Sequence, residues 1–312
     1  MLYDYLKIYF KRIYLAFAFL FLIIPGIALA NTGMSHKGIY LTQSTAMNTK
    51  LVDYLIKNSK QVGINTFVID YTTPSKIYES NIQKIKQAGI RYVARVVIFP
   101  DGGTPDQIKS MAYREKKQQT IDQAIRYGAD EIQLDYIRYN SKMPADKQNS
   151  RDVTAVIKWF KQQVAKHHLP MQVDVFGETA YKESVNIGQN LKLIGPEVDA
   201  VCPMTYPSHY EPFKKYATQP YKIVHYSLTK LKEQFKNNDP TFKVYPYFEL
   251  YNYRYPMSYN QKKGYIDAQL RAIEDAQADG WFAWNPHNNY DILFDVLKTR
   301  HDTGFSKMKE ES

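Results

Sequence analysis

Acidic side chains stand at the ends of several short apolar runs, which is where a strand would deliver them to a common mouth. In Glu131-Ile-Gln-Leu-Asp-Tyr, alternation puts Glu131, Gln133 and Asp135 on one side of a strand and Ile132, Leu134 and Tyr136 on the other. Arg138 follows three residues after Asp135. Asp174 sits on the same side as Gln172 and Phe176 in Met-Gln-Val-Asp-Val-Phe, with Glu178 just past Gly177. Glu249 closes Tyr245-Pro-Tyr-Phe-Glu, Asp70 closes Val68-Ile-Asp, and Arg95 lies inside the run from Tyr92 to Phe99. Cleaving a glycosidic bond needs two carboxyl groups, one protonated as the acid and one ionised as nucleophile or base. Neighbouring acids raise one pKa and a nearby arginine keeps another group ionised, so both states coexist near neutral pH. Asp135 is read as the nucleophile or base and Glu249 or Glu178 as the acid, with Asp174 as a further catalytic candidate. The competing reading of Asp135 is a structural ion pair with Arg138 or Arg95.

Aromatic residues supply the second half of the pattern. Tyrosine occurs 27 times, and Tyr40, Tyr206 and Trp284 fall at or beside strand ends, where ring faces suit the C–H faces of sugars. Pro203-Met-Thr-Tyr-Pro-Ser-His209-Tyr and Trp281-Phe-Ala-Trp-Asn285-Pro-His287 are compact aromatic and polar clusters. With Asp70, Arg95 and Arg138, the residues Tyr40, Tyr206, His209, Trp284 and Asn285 form the expected substrate-binding set. His209 and His287 raise the thought of a metal, as in a metal-dependent deacetylase or amidohydrolase, but no His-x-His pair lies on the first strand. No Gly-x-Ser-x-Gly elbow and no phosphate-cradling loop is present. No cofactor and no metal is expected.

Eight candidate strands carry these residues: 38–42, 66–71, 92–99, 131–136, 171–177, 200–206, 243–250 and 280–285. Amphipathic stretches separate them, at 48–61, 81–88, 106–127, 151–167 and 261–278, and glycines mark several of the helix ends. The helix between the sixth and seventh strands is less clear, because the segment 210–240 is interrupted by Pro212 and Pro220, and part of it reads as an extended loop. Eight βα repeats predict an α/β fold with a single (β/α)8 TIM barrel over 31–300, in which the loops after the strands build the active face. Residues 301–312 read as a polar tail that frays.

Residues 1–30 have the basic start (Lys7, Lys11, Arg12), apolar run and Ala28-Leu29-Ala30 ending of a signal peptide, so an exported, periplasmic or secreted protein is expected, with association to the cell envelope as an option. An uncleaved anchor is the alternative. The formal charge of +10 falls to +8 without that segment. Its lysines are dispersed, which does not point to nucleic acid. A single cysteine, Cys202, leaves stability to core burial. A monomer is expected.

Taken together, Lys37-Gly-Ile-Tyr-Leu-Thr, Glu131-Ile-Gln-Leu-Asp-Tyr-Ile-Arg-Tyr, Asp174-Val-Phe-Gly, Pro203-Met-Thr-Tyr-Pro-Ser-His-Tyr and Gly280-Trp-Phe-Ala-Trp-Asn resemble a bacterial family of TIM-barrel glycosidase-like proteins, known as a domain of unknown function. That resemblance implies a glycoside hydrolase barrel with Asp135, Arg138 and Asp174 at its site. The expected function is hydrolysis of a poly- or oligosaccharide. A carbohydrate-binding barrel without turnover and a metal-dependent deacetylase are the alternatives, since fold does not decide function.

Overall fold

The computed structural model describes residues 35–235 and 241–310. The expected signal segment lies outside them. Nine strand segments form one parallel sheet: β1 Lys37–Leu41, β2 Thr66–Asp70, β3 Arg91–Val97, β4 Glu131–Asp135, β5 Met171–Phe176, β6 Ala200–Met204, β7 Lys243–Val244, β8 Tyr247–Glu249 and β9 Trp281–Trp284. The pairing of β9 with β1 and of β5 with β6 closes the sheet on itself. β7 and β8 are two pieces of one stave, since both pair with β6. Pro246, which has no N–H to give to the ladder, lies between them. The barrel therefore has the eight staves that the repeat count predicts.

Helices cover the outside, and two differ from the sequence expectation. The stretch read as one helix over 106–127 is two, Pro105–Lys109 and Met111–Arg126. Ser110 ends the first and caps the second, its side chain accepting from the Tyr113 N–H at 3.2 Å. In the segment 210–240, where the sequence leaves the helix less clear and part reads as loop, Pro220–Glu233 is a helix of 14 residues. Pro220 stands in its first turn, where a missing N–H costs nothing. The last helix, Asp291–Glu310, runs into the stretch assigned to a tail. Among the described residues no helix is long and apolar enough to cross a membrane.

One apolar layer packs between staves and helices, with Phe67, Ile82, Leu134, Phe160 and Leu270 among its fully buried members. A second fills the barrel, from Val68, Val93, Cys202, Tyr247 and Phe282. Gly38 is needed there because a Cβ would come within 2.7 Å of the Phe282 ring. Polar side chains run through this interior. Glu131, at the start of β4, accepts from His36 at 2.7 Å, from Arg91 at 3.0 Å and from Gln172. Gln172 accepts from Gln133 at 3.0 Å, and Gln133 accepts from the Tyr247 hydroxyl at 2.8 Å. Each amide is used at both ends, and a satisfied network of this kind holds neighbouring staves in register. The layer above it is the site.

Candidate active site

Arg95 is the centre of the upper layer. β3 lies between β2 and β4, with Arg95 opposite Asp70 on one side and Gln133 on the other. Its guanidinium donates to Asp70 through Nη1 and to Asp135 through Nη2, and its Nε lies 3.5 Å from Asp174 Oδ2. One side chain thus gathers the carboxyls of three strands. Burial works against the arginine's charge, but Asp135, Asp70 and Asp174 outweigh it and hold the guanidinium firmly protonated. Tyr40 donates its hydroxyl to Asp70 at 2.5 Å and lies with its ring beside Arg95, 5.3 Å away.

Three carboxyls around one cation leave an excess of negative charge, and Asp174 is where that excess falls. It is fully enclosed, and burial, then the charge of Asp135, push its carboxyl well above the usual carboxylate range despite Arg95. Its Oδ1 is buried with no hydrogen-bond partner among the described residues. Asp135 differs. Its Oδ2 accepts from Arg95, and its Oδ1 accepts from the Tyr136 N–H. That second bond comes from a left-handed residue: Tyr136 has φ +52°, a conformation that costs a non-glycine residue about 1–3 kcal/mol.

Above this floor opens a cavity of about 520 Å³ lined by Arg95, Asp135 and Asp174 below and by aromatic and charged residues around. On one side Tyr206 stacks on Trp284 at 5.0 Å, and Trp284 continues into Tyr253 at 6.0 Å, the planes within 24° of each other. His209 meets Tyr206 and Tyr253 edge-on. On the other side Arg138 lies between the rings of Tyr136 and Phe176, at 5.3 and 5.4 Å. Glu178 reaches the rim and pairs with Lys182 at 2.8 Å.

The structure thus brings together Tyr40, Asp70, Arg95, Asp135 and Asp174 in the floor, and Arg138, Glu178, Tyr206, His209 and Trp284 around it. It does not bring Glu249 or Asn285 to the cavity wall. Glu249 is fully buried beneath the turn Pro207–His209 and against the helix Tyr259–Asp275: Ser208 donates its N–H and its hydroxyl at 2.8 Å each, and Tyr265 donates at 2.5 Å. His209 Nδ1 lies 3.5 Å from the same carboxylate. His209, which lines the cavity, thus lies between that space and the Glu249 carboxylate's neighbourhood without bringing Glu249 itself to the wall. Asn285 spends its side chain on its own loop, with Asn289 and His287. Sequence reasoning missed Gln189, Lys182 and Tyr181, which come from an irregular loop, and Phe213, which begins the short helix Phe213–Tyr216, at the cavity. Met204 and Phe176, also at the wall, carry the signal of inward parity on β6 and β5. Among the described residues no group of His, Cys, Asp and Glu is arranged to hold a metal ion.

The profile of a family described as a putative glycosyl hydrolase domain, DUF4015, matches residues 119–290, more than half of the chain. The chain belongs to this family. It is accordingly a glycoside hydrolase, and Asp135, Asp174, Tyr206 and Trp284 lie within the matched segment while Tyr40, Asp70 and Arg95 precede it. No curated protein matches the chain in sequence. Its barrel is similar to solved structures at low identity. The spore cortex-lytic enzyme SleL of Bacillus megaterium is 13% identical, with a TM-score of 0.59, over 84% of this chain and 73% of that one. A class V chitinase of Pseudomonas fluorescens is 11% identical, with a TM-score of 0.59, over 84% and 98%. A chitinase of Chromobacterium violaceum is 12% identical, with a TM-score of 0.57, over 85% and 98%. At such identities the likeness is one of fold.

Proposed function

We propose that this glycosyl hydrolase cleaves a poly- or oligosaccharide in the cavity above Arg95, with Asp174 as the acid and Asp135 as the ionised partner. The observation that carries the reading is the pair of carboxyls on one guanidinium, one of them driven to hold a proton and left with a free oxygen. Asp174 gives its proton to the glycosidic oxygen as the bond to the anomeric carbon breaks. Asp135 attacks that carbon, and water later replaces it, with Asp174 accepting the water's proton. With Asp135 as the nucleophile the first product is expected to keep its anomeric configuration, whereas an interposed water would need about 6.5–9.5 Å between the carboxyls and would invert it. The Tyr206, Trp284 and Tyr253 rings give the sugar faces a stacking wall. Export through residues 1–30 belongs to the same proposal, since it would place the enzyme with extracytoplasmic saccharides.

The test is a polysaccharide panel scored for released reducing ends, followed by proton NMR of the first product. Asp135→Asn is expected to lower turnover by about 10²–10⁴-fold with the fold intact. Full activity in that variant, an inverted first product, or saccharide binding without any product would overturn the mechanism.

A further inference from the structure

The cavity wall also carries a cation, Arg138, that makes no ion pair among the described residues although the charges of Asp135 and Asp101 bear on it. Arg138 is half-buried, and loss of water lowers its pKa, with Tyr136 and Asp135 only partly offsetting this. A guanidinium in that condition is usually ion-paired. Of the two carboxylates whose charge acts on it, Asp135 is engaged by Arg95, and Asp101 meets the guanidinium through its backbone carbonyl with no ion pair among the described residues; the wall carboxylate Glu178 is engaged by Lys182. The arginine's own contacts use one nitrogen of three: Nη1 donates to the Tyr139 carbonyl at 2.9 Å and reaches that of Asp101 at 3.4 Å. Nε and Nη2 make no hydrogen bond among the described residues. They form one edge of the guanidinium, the two parallel donors that grip a carboxylate or an ester-linked oxyanion. The rings of Tyr136 and Phe176 lie beside the group, their centroids 5.3 and 5.4 Å from it.

A second donor is built beside it. Gln189 is 2% exposed and lines the same cavity. Its Oε1 accepts the Phe176 N–H at 2.9 Å and the Thr179 hydroxyl at 3.2 Å. Because a backbone N–H can only donate, this assigns the amide's orientation and leaves the NH2 end for the cavity. That NH2 has no acceptor among the described residues. The residue whose N–H pins Gln189 is the one whose ring covers Arg138, so the two donor groups are fixed on one short segment.

We propose that Arg138 and Gln189 form a subsite for an anionic group on the saccharide, foremost the carboxylate of an acidic sugar. The proposal rests on the cavity being a saccharide site, and it names the substrate class as acidic. The neutral stacking wall and the cationic fork then hold different faces of one chain of sugars.

Calorimetric titration of the full chain with D-glucuronate, D-glucose and glucose 6-sulfate tests this. None of these monosaccharides has a glycosidic bond to another sugar, so the result is independent of hydrolysis. Glucuronate is expected to bind about tenfold or more tightly than glucose, a difference matching a bidentate charged contact. Arg138→Met, which keeps the length of the apolar stem, should remove that preference. Arg138→Lys should restore only part of it. Gln189→Glu keeps the pinned oxygen and replaces the NH2 by a second oxygen, so it should weaken glucuronate about tenfold even if Arg138→Met disturbs the loop through Tyr139. A preference for glucose 6-sulfate over glucuronate would support the subsite and assign its anion to an ester. Equal affinity for glucuronate and glucose, or no saturable binding of either anion, or glucuronate binding untouched in both Arg138→Met and Gln189→Glu, would overturn it. The hydrolytic reading fails separately, on Asp135→Asn.

Discussion

Replacing Asp174 by asparagine removes the one carboxyl that the site forces to carry a proton while keeping its shape. In the native chain its pKa is raised well above the ordinary value of 3.8, by burial first and then by Asp135. Between the ordinary value and the raised one, the folded chain binds one more proton here than the unfolded chain does. Stability therefore falls as pH rises through that window, by up to about 1.4 kcal/mol per pH unit. Below it the proton is bound in both states and the penalty vanishes. Asp174→Asn has no such proton, so its profile should lack this slope, and relative to the native protein it gains stability with rising pH. Urea denaturation at a series of pH values, read at constant m-value, measures the difference directly. Turnover should fall about 10²–10⁴-fold in the same variant, with loss of the alkaline limb that Asp174 deprotonation sets in the native enzyme. Parallel stability profiles for the two proteins would refute the reasoning, because Asp174 would then hold no extra proton in the folded chain.

Two further outcomes follow from the same geometry. Arg95→Met leaves Asp70 and Asp135 without their cation and should cost about 3–5 kcal/mol at neutral pH. An unchanged Tm at neutral pH would contradict it. Gly177→Ala would place a Cβ 2.1 Å from the Tyr210 hydroxyl and 2.4 Å from the Met204 carbonyl. The backbone carbonyl cannot turn aside, so a loss of about 1–3 kcal/mol and a raised KM are expected in unfolding and kinetic assays.

The barrel was legible because its signal is a repeated alternation of period-two and helical stretches, and repetition survives local errors of boundary. The helix Pro220–Glu233 was less legible, because Pro212 and Pro220 read as interruptions, whereas Pro220 stands in the helix's first turn, where it is harmless. Parity along β4 and β5 sufficed to turn Asp135 and Asp174 inward. It misled at Glu249, where strand position says nothing about the turn that folds over the strand end and claims the carboxylate. Arg95 shows the opposite case. As the cation beside inward-facing Val93 on β3, it carried the information that one residue gathers three acids, but which acids depends on the stagger of four strands. Gln189 and Lys182 come from a long loop without period, and only the folded chain reveals them.

The lone thiol of Cys202 lies at the heart of the barrel, wholly enclosed and with its pKa pushed well above 9.0 by burial. It contacts Gln133 and Gln172, at 3.5 and 3.4 Å, in the polar chain that links the staves. Being both inaccessible and un-ionised, it is inert to alkylating reagents for as long as the staves stay together. The rate at which a maleimide labels it is thus a clock for the opening of the barrel, already installed at the point where opening matters, and it can be read without adding a probe.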